Sequence, residues 1–535
     1  MMQKKEAVLL TGASGSMGFE AFRLLWEKRD RYDLVLLLRP SRKNRKLFRE
    51  YIRQAEAGPV PGAGSGSTPG SGRTQGSGIT PGSGQAPRMG TWAGKGLKIV
   101  WGDALNREDL AEACRGIDWC LHTMALISPE ADRQPETAAL VNDRGTRFLV
   151  EAIEAEDPQH IRLVHVGTVA EYGDRLPPVH VGRTGDPILP SVFDYYAISK
   201  IRGELAVMQS RIRQRVSLRQ TFIMIPDLFS LMDPIMFHQP INSCMENITA
   251  RDSGRLLVSC LNIPDDSDFW GEYYNISGGP RCRITYLDFL DTIYGMLGIR
   301  YRRVMERRWF ALKNFHMQFY EDADRLNGYL HHWDGGQGME DYFGEVWKKL
   351  PWYLKIAAFY TKRLPPHRLF VEAATRGQLK RLAGKGRGTM YWIGRNDTRK
   401  INAFYGSMEA YRSIPDWDPI RPSNGPLLDH NLAYTRLDHG YDEAKTELDR
   451  DDLRAAARFR GGQLASEVWD GHMHAALHWR CCRGHRFTMT PHAVLKGGHW
   501  CLECIAPPWD YSLIAEKNLF AAQILKAGGS FSEKF

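Results

Sequence analysis

The stretch LLTGASGSMG, residues 9–18, decides how the rest of the chain is read. An apolar run, Ala7–Leu10, reads as a strand; Gly12, Gly15 and Gly18 follow it as G-x-x-G-x-x-G, and an amphipathic stretch runs from Met17 to Lys28. Strand, glycine turn and helix in that order are the setting in which such glycines mark a dinucleotide site. Each glycine removes a Cβ where the backbone turns tightly or approaches a pyrophosphate. The helix N-terminus then offers N–H groups and a partial positive charge. Gly12, Gly15, Ser16, Met17 and Gly18 are the candidate phosphate-binding residues. The next strand, LVLLL at 34–38, ends in RPSRKNRK. An NAD site usually places an acid there for the ribose hydroxyls. Arg39, backed by Ser41, Arg42 and Lys43, suits a 2′-phosphate instead, so the basic strand end favours NADP over NAD.

The pattern repeats outward. A charged helix is expected at 42–56, then LKIV (97–100), REDLAEACRG (107–116), DWCLHT (118–123), a helix at 135–156 and IRLVHVG (161–167). Short buried strands alternating with helices imply a parallel sheet covered on both faces, an α/β Rossmann-type, doubly wound architecture. Residues 58–90 are Gly, Ser and Pro with little to bury, and read as a flexible insertion. The expected division is 1–57 with 91–300 as the nucleotide-binding domain and its small substrate subdomain, 301–455 as an α-rich, irregular extension, 456–510 as a metal module and 511–535 as a tail. Within the extension, 350–374 is basic and aromatic; it is read as a packed helix pair split by Pro365 and Pro366, in preference to a helix lying on a membrane. His238 is read as hydrogen-bonded within a packed loop.

YYAISK places Tyr196 and Lys200 four residues apart, on one face of a helix. An ammonium near a phenol lowers its pKa, and the phenol then exchanges the proton that accompanies hydride transfer. With this pair the chain resembles the extended short-chain dehydrogenases, the NAD-dependent epimerase/dehydratase group. The matching segments run in order: TGASGSMG, WGDAL, LHTMA, VNDRGTRFLVEA, VHVGTVAEYG, YAISK, SLRQTFI, TARDSGRLLVSCL and YNISGG, spanning roughly residues 5 to 300. The resemblance implies a catalytic set of Thr168, Tyr196 and Lys200. Thr168 would hydrogen-bond the substrate oxygen, Tyr196 would be the acid/base and Lys200 would tune it. It also implies cofactor contacts from Asp103 on the adenine side, from Ala125 after the fourth strand, and from Asn142, Tyr196 and Lys200. Two departures matter. Val169 and Ala170 stand where sugar 4,6-dehydratases carry an Asp-Glu pair, which argues against that chemistry. Met124-Ala125-Leu126 replaces the family's usual Ala-Ala or Ala-Gly ending.

Near the other end, WRCCRGHRFTMTPHAVLKGGHWCLEC (479–504) sets Cys482-x2-His485 before Cys501-x2-Cys504. Two chelating pairs close a tetrahedron of three thiolates and one imidazole, which suits a structural Zn2+ with no open position. Cys481 and His499 are adjacent alternatives and His478 a more distant one. The segment resembles treble-clef or ribbon-type zinc fingers. It has no dense basic stripe and no helix suited to a major groove, which argues against nucleic acid as a partner. A structural staple or homo-oligomer contact is preferred to protein recognition.

Bulk properties fit these assignments. The chain has 535 residues, 43% hydrophobic and 25% charged, and a formal net charge of +9. No apolar run reaches the roughly 20 residues that span a bilayer. The N-terminus reads as a first strand and not as a secretion signal. Nine cysteines, four of them between 481 and 504, suit a reducing compartment and a local metal site, so a cytoplasmic location is expected. The preferred function is an NAD(P)-dependent oxidoreductase or epimerase acting on a small molecule. The other reading is a non-catalytic dinucleotide sensor that uses its zinc module for partner or nucleic-acid binding.

Overall fold

The structure, a computed structural model, describes residues 5–57, 90–227, 232–417 and 433–531. The insertion expected at 58–90 lies, but for Gly90, outside the described residues. Eight strands form the central sheet: β1 (Glu6–Thr11), β2 (Tyr32–Leu38), β3 (Thr91–Gly94), β4 (Leu97–Trp101), β5 (Trp119–His122), β6 (Arg162–Thr168), β7 (Arg215–Gln220) and β8 (Tyr273–Asn275), in the order β8-β7-β6-β5-β1-β2-β4-β3. All neighbours run parallel except β3, which pairs antiparallel with β4. That edge strand, Thr91–Gly94, has no apolar run and was not legible in the sequence.

The strands are apolar runs, not alternating ones, because both faces are covered. Helices Ser16–Glu27 and Ala250–Ser259 bury Phe22, Leu25, Leu256 and Leu257 with Val8, Leu10, Leu34 and Leu36 on one face. Helices Arg107–Cys114, Gly145–Glu156 and Tyr195–Met208 bury Leu110, Leu149, Ile153 and Val207 with Leu9, Leu37 and Leu163 on the other. The chain reverses direction across the sheet between β1 and β5, so the crevice beyond their carboxyl ends is where a ligand belongs. The helix expected at 135–156 is interrupted by a π-helical stretch, Ala139–Arg144, centred on Asn142.

A three-stranded sheet of Phe222–Met224, Cys244–Thr249 and Arg283–Thr285 lies beside the main one. Its core takes in Tyr342, Leu379 and Trp417 from the α-rich stretch after residue 301. The last sheet, Gln463–Leu464, Leu477–Arg480 and Arg486–Met489, is antiparallel. Its Trp479 and the following Val494 and Leu495 share one core with Val169, Tyr172, Ile201 and Leu205 of the nucleotide-binding region. Tyr511, Ile514, Ala521 and Ile524, in the stretch read as a tail, are buried in that core as well. The C-terminal sheet is therefore built onto the helix that carries Tyr196. Among the described residues no helix is long and apolar enough to cross a membrane.

Candidate functional site

The glycine turn crosses the crevice. Gly12 has φ +73°, and a Cβ there would lie 2.6 Å from Thr123 Oγ1 at the end of β5. A Cβ on Gly18 would meet the Gly12 carbonyl oxygen at 2.3 Å, so the helix can approach the turn only without one. Gly15 is different: it is exposed, and its nearest obstruction is the Gly12 carbonyl at 3.3 Å. The helix that starts at Ser16 has no side-chain cap and no acid in its first turn. Ser16, Met17 and Gly18 thus lie at an uncapped, acid-free N-terminus, the donor set a pyrophosphate requires. Beside it, Arg39 and Ser41 are exposed beyond β2, where Ser41 Oγ accepts the Asn44 N–H at 3.1 Å and the Asn44 amide donates to the Arg39 carbonyl at 2.9 Å. Asp103 is exposed past β4, on the same edge. The basic strand end is thereby held at the rim of the glycine turn.

Ala125 and Asn142 sit deeper. Asn142 is fully buried. Its Oδ1 accepts the Leu126 N–H at 2.7 Å, and its Nδ2 donates to the Leu126 carbonyl and to Ser199 Oγ, each at 2.9 Å. The amide ties the loop bearing Ala125 to the Tyr195–Met208 helix.

Thr168 ends β6, and its Oγ1 accepts the Ala170 N–H at 3.2 Å. Tyr196 sits in the first turn of the neighbouring helix, capped by Asp194 through the Ala197 N–H at 2.8 Å. Burial pushes the Tyr196 hydroxyl above its ordinary range; the Thr168 hydroxyl, within hydrogen-bonding reach, acts in the opposite sense, and Asp194, Glu171 and Asp132 raise it further. Lys200, one helical turn on from Tyr196, is held by the adjoining strand. Its Nζ donates to the Val166 carbonyl at 2.7 Å and lies 3.5 Å from His165 Nε2. At 2% exposure, burial brings its pKa down to about 8 against the opposing pull of Glu171 and Glu204. The ammonium is anchored to β6 two residues before Thr168, so it fixes the distance between helix and strand.

Other charged groups surround Tyr196 that the sequence did not reveal. Asp132 accepts the Tyr196 backbone N–H, and burial together with the Asp194 charge pushes it up to about 6. His316 Nδ1 lies 3.1 Å from Asp194 Oδ2. Lys400 is brought down to about 8 by burial, with Asp132 the largest opposing charge, and stands 3.6 Å from the Phe193 ring centre. Asp132, His316 and Lys400 come from three separate stretches of the chain, and only the fold joins them. His238 is partly buried, with its Nε2 2.8 Å from the Arg387 carbonyl, as a packed-loop histidine should be.

The metal cluster corrects one ligand. Cys481, His485, Cys501 and Cys504 bring one donor atom each within 4.8 Å of one another; Cys482 is not among them. Strand parity is the reason: Leu477 and Trp479 point inward, His478 and Arg480 outward, and Cys481 continues the inward series. Cys501 Sγ is 3.4 Å from His485 Nδ1, Cys504 Sγ 3.7 Å from it and 3.6 Å from Cys481 Sγ. A tetrahedral ion with Zn–S near 2.3 Å has edges of about 3.5–3.8 Å, so the donors fit Zn2+. His478 lies 3.2 Å from Thr488 Oγ1 and His499 2.8 Å from Glu204 Oε1, which removes both from the ligand set.

That last contact joins the metal module to the sheet. Arg219 on β7 donates to Glu204 Oε1 at 2.6 Å and to the Gly497 carbonyl at 2.8 Å, with all of these side chains fully buried. Burial alone would raise Glu204; the Arg219 guanidinium and the His499 hydrogen bond hold it well below the usual carboxylate range.

A mostly parallel sheet with a glycine turn at its switch point, an uncapped helix N-terminus and Thr168, Tyr196 and Lys200 on the same edge is a Rossmann-type arrangement. Residues 8–232 match the protein-family model described as the NAD dependent epimerase/dehydratase family. Among solved structures the chain is similar to the dTDP-glucose 4,6-dehydratase DesIV double mutant from Streptomyces venezuelae with NAD and DAU bound (17% identity, 64% of this chain and 97% of that one, TM-score 0.43). It is also similar to the UDP-glucuronic acid 4-epimerase from Bacillus cereus in complex with UDP-glucuronic acid and NAD (17% identity, 64% and 100%, TM-score 0.41).

Proposed function

We propose that the chain is an NADP-dependent oxidoreductase or epimerase acting at a carbinol or carbonyl carbon of a small polar molecule, with Tyr196 as acid/base. The observation that carries this reading is the Tyr196 phenol beside Thr168 on the sheet edge that also bears the glycine turn. The nicotinamide supplies or accepts the hydride when bound. Thr168 orients the substrate oxygen, and Tyr196 exchanges the proton at that oxygen. Lys200 holds the helix to β6 and so sets the gap between the two hydroxyls. Asp132, raised to about 6, adds a group that changes charge near neutrality beside Tyr196. Elimination of the 4,6-dehydratase kind is not part of the reading, because Val169 and Ala170 follow Thr168. Arg39 and Ser41 support the 2′-phosphate form of the cofactor. Cys481, His485, Cys501 and Cys504 hold one structural Zn2+.

Native mass spectrometry of the purified chain tests these assignments together. The expected result is a retained NADP(H) and one zinc per chain. A chain that binds neither NAD(H) nor NADP(H) when these are added would overturn the reading.

A further inference from the structure

The helix Trp352–Arg363 and the first turns of Pro365–Ala383 carry their large apolar side chains outward. A surface helix normally turns its apolar stripe inward. Here the buried residues of the first helix are Ala358 and Thr361, while Trp352 (73%), Ile356, Phe359 and Tyr360 are exposed. Across the Pro365–Pro366 turn, Leu369 and Phe370 (74%) are exposed too. Of the fifteen large hydrophobic side chains that stand exposed among the described residues, eight lie between 352 and 370. The small inward residues have a cause: Gly298 packs so close that a Cβ on it would be 2.9 Å from the Lys362 nitrogen. Positions 352, 356, 359 and 360 share one arc of the helix, so the outward side chains form one contiguous face. A face of this kind marks an interaction surface.

Charge selects the partner. Residues 348–387 contain eleven Lys and Arg and one acid, Glu372, and that acid is paired with Arg300 at 3.1 Å. Lys349, Lys362, Arg363, Lys380 and Arg381 are exposed around the apolar face. A second copy of the chain would set this positive surface against itself. A nucleic acid would leave Ile356, Leu369 and Phe370 without an apolar environment. An anionic bilayer satisfies both features, since aromatic and aliphatic side chains enter the acyl boundary while lysines and arginines meet the headgroups.

We propose that this helix pair is a peripheral docking surface for anionic phospholipid membranes, holding the enzyme on the bilayer without crossing it. The proposal is independent of the dinucleotide reading.

Flotation of the full chain with phosphatidylcholine vesicles, with and without phosphatidylglycerol, tests it. The expected result is flotation with the anionic vesicles only, weakened at high salt. Phe359→Ser with Phe370→Ser should lower the bound fraction by roughly tenfold or more, since each removes a large apolar group from the interface. Both side chains are exposed, so the variant should keep the wild-type melting profile. A second variant, Lys355→Glu with Lys362→Glu, should lose anionic selectivity. Failure of the wild-type chain to float, or equal flotation of the double Ser variant, would overturn the proposal. So would concentration-dependent dimerisation or nucleic-acid binding through this face without vesicle binding.

Discussion

Arg219→Met isolates the brace between the metal module and the sheet. The native guanidinium donates to Glu204 at 2.6 and 3.1 Å, to the Tyr172 hydroxyl at 2.9 Å and to the Gly497 carbonyl at 2.8 Å, and all three partners are buried. Methionine fills the space but leaves Glu204 as an uncompensated buried charge next to Glu171, a loss of about 3–5 kcal/mol. The sign with pH follows. In the native chain the folded-state pKa of Glu204 is depressed, so its contribution is present above the ordinary carboxylate value and is lost as pH falls through the folded value. In the variant, burial and Glu171 are opposed only by His499, Ser217 and Lys200, so the Glu204 carboxyl moves up from its native value. The deficit relative to wild type should therefore grow with pH above the ordinary carboxylate value, by up to about 1.4 kcal/mol per unit until Glu204 ionises in the fold. Denaturant unfolding followed by tryptophan fluorescence at pH 5 and pH 8 measures this. Arg219→Met with Glu204→Leu should recover more than half of the loss, because neither member of the pair is then left buried without the other. A single variant that loses under about 1 kcal/mol at both pH values, or a double variant as unstable as the summed singles, would refute the reasoning.

Other outcomes follow from the same structure. Cys481→Ser should lower the zinc content well below one per chain while Cys482→Ser retains it, read by elemental analysis; the reverse result would restore Cys482 as the ligand. Arg39→Ala should weaken NADP binding by about tenfold or more, through the loss of a charge-assisted hydrogen bond, and leave NAD binding nearly unchanged in calorimetric titration. Asp132→Asn should remove a pH–rate limb near 6, since the native carboxyl is protonated below that value and charged above it; an unchanged profile would separate Asp132 from the chemistry.

The sequence displayed local features and hid non-local ones. Gly12, Gly15 and Gly18 were readable because strand, turn and helix are contiguous, and Tyr196 and Lys200 because four residues make one helical turn. The direction of the Lys200 ammonium was not readable: it depends on Val166 and His165 of the adjoining strand. Asp132, His316 and Lys400 could not be grouped with Tyr196, because folding alone brings those stretches together. The choice between Cys481 and Cys482 was in principle visible. The Leu477, Trp479, Cys481 alternation carries it, once the stretch is recognised as a strand and not only as spaced ligands. The exposed aromatics of the 352–383 helix pair look like core in the sequence, and only the close approach at Gly298 shows which face points outward.

The central claim is that the Tyr196 phenol moves the proton in a dinucleotide-dependent reaction. Turnover and NADP(H) affinity of Tyr196→Phe test it most directly, on a substrate found by screening carbonyl and nucleotide-sugar compounds. A fall in kcat of about 10²–10⁴-fold with nearly unchanged NADP(H) affinity is the expected result. A variant that turns over at the wild-type rate would contradict it.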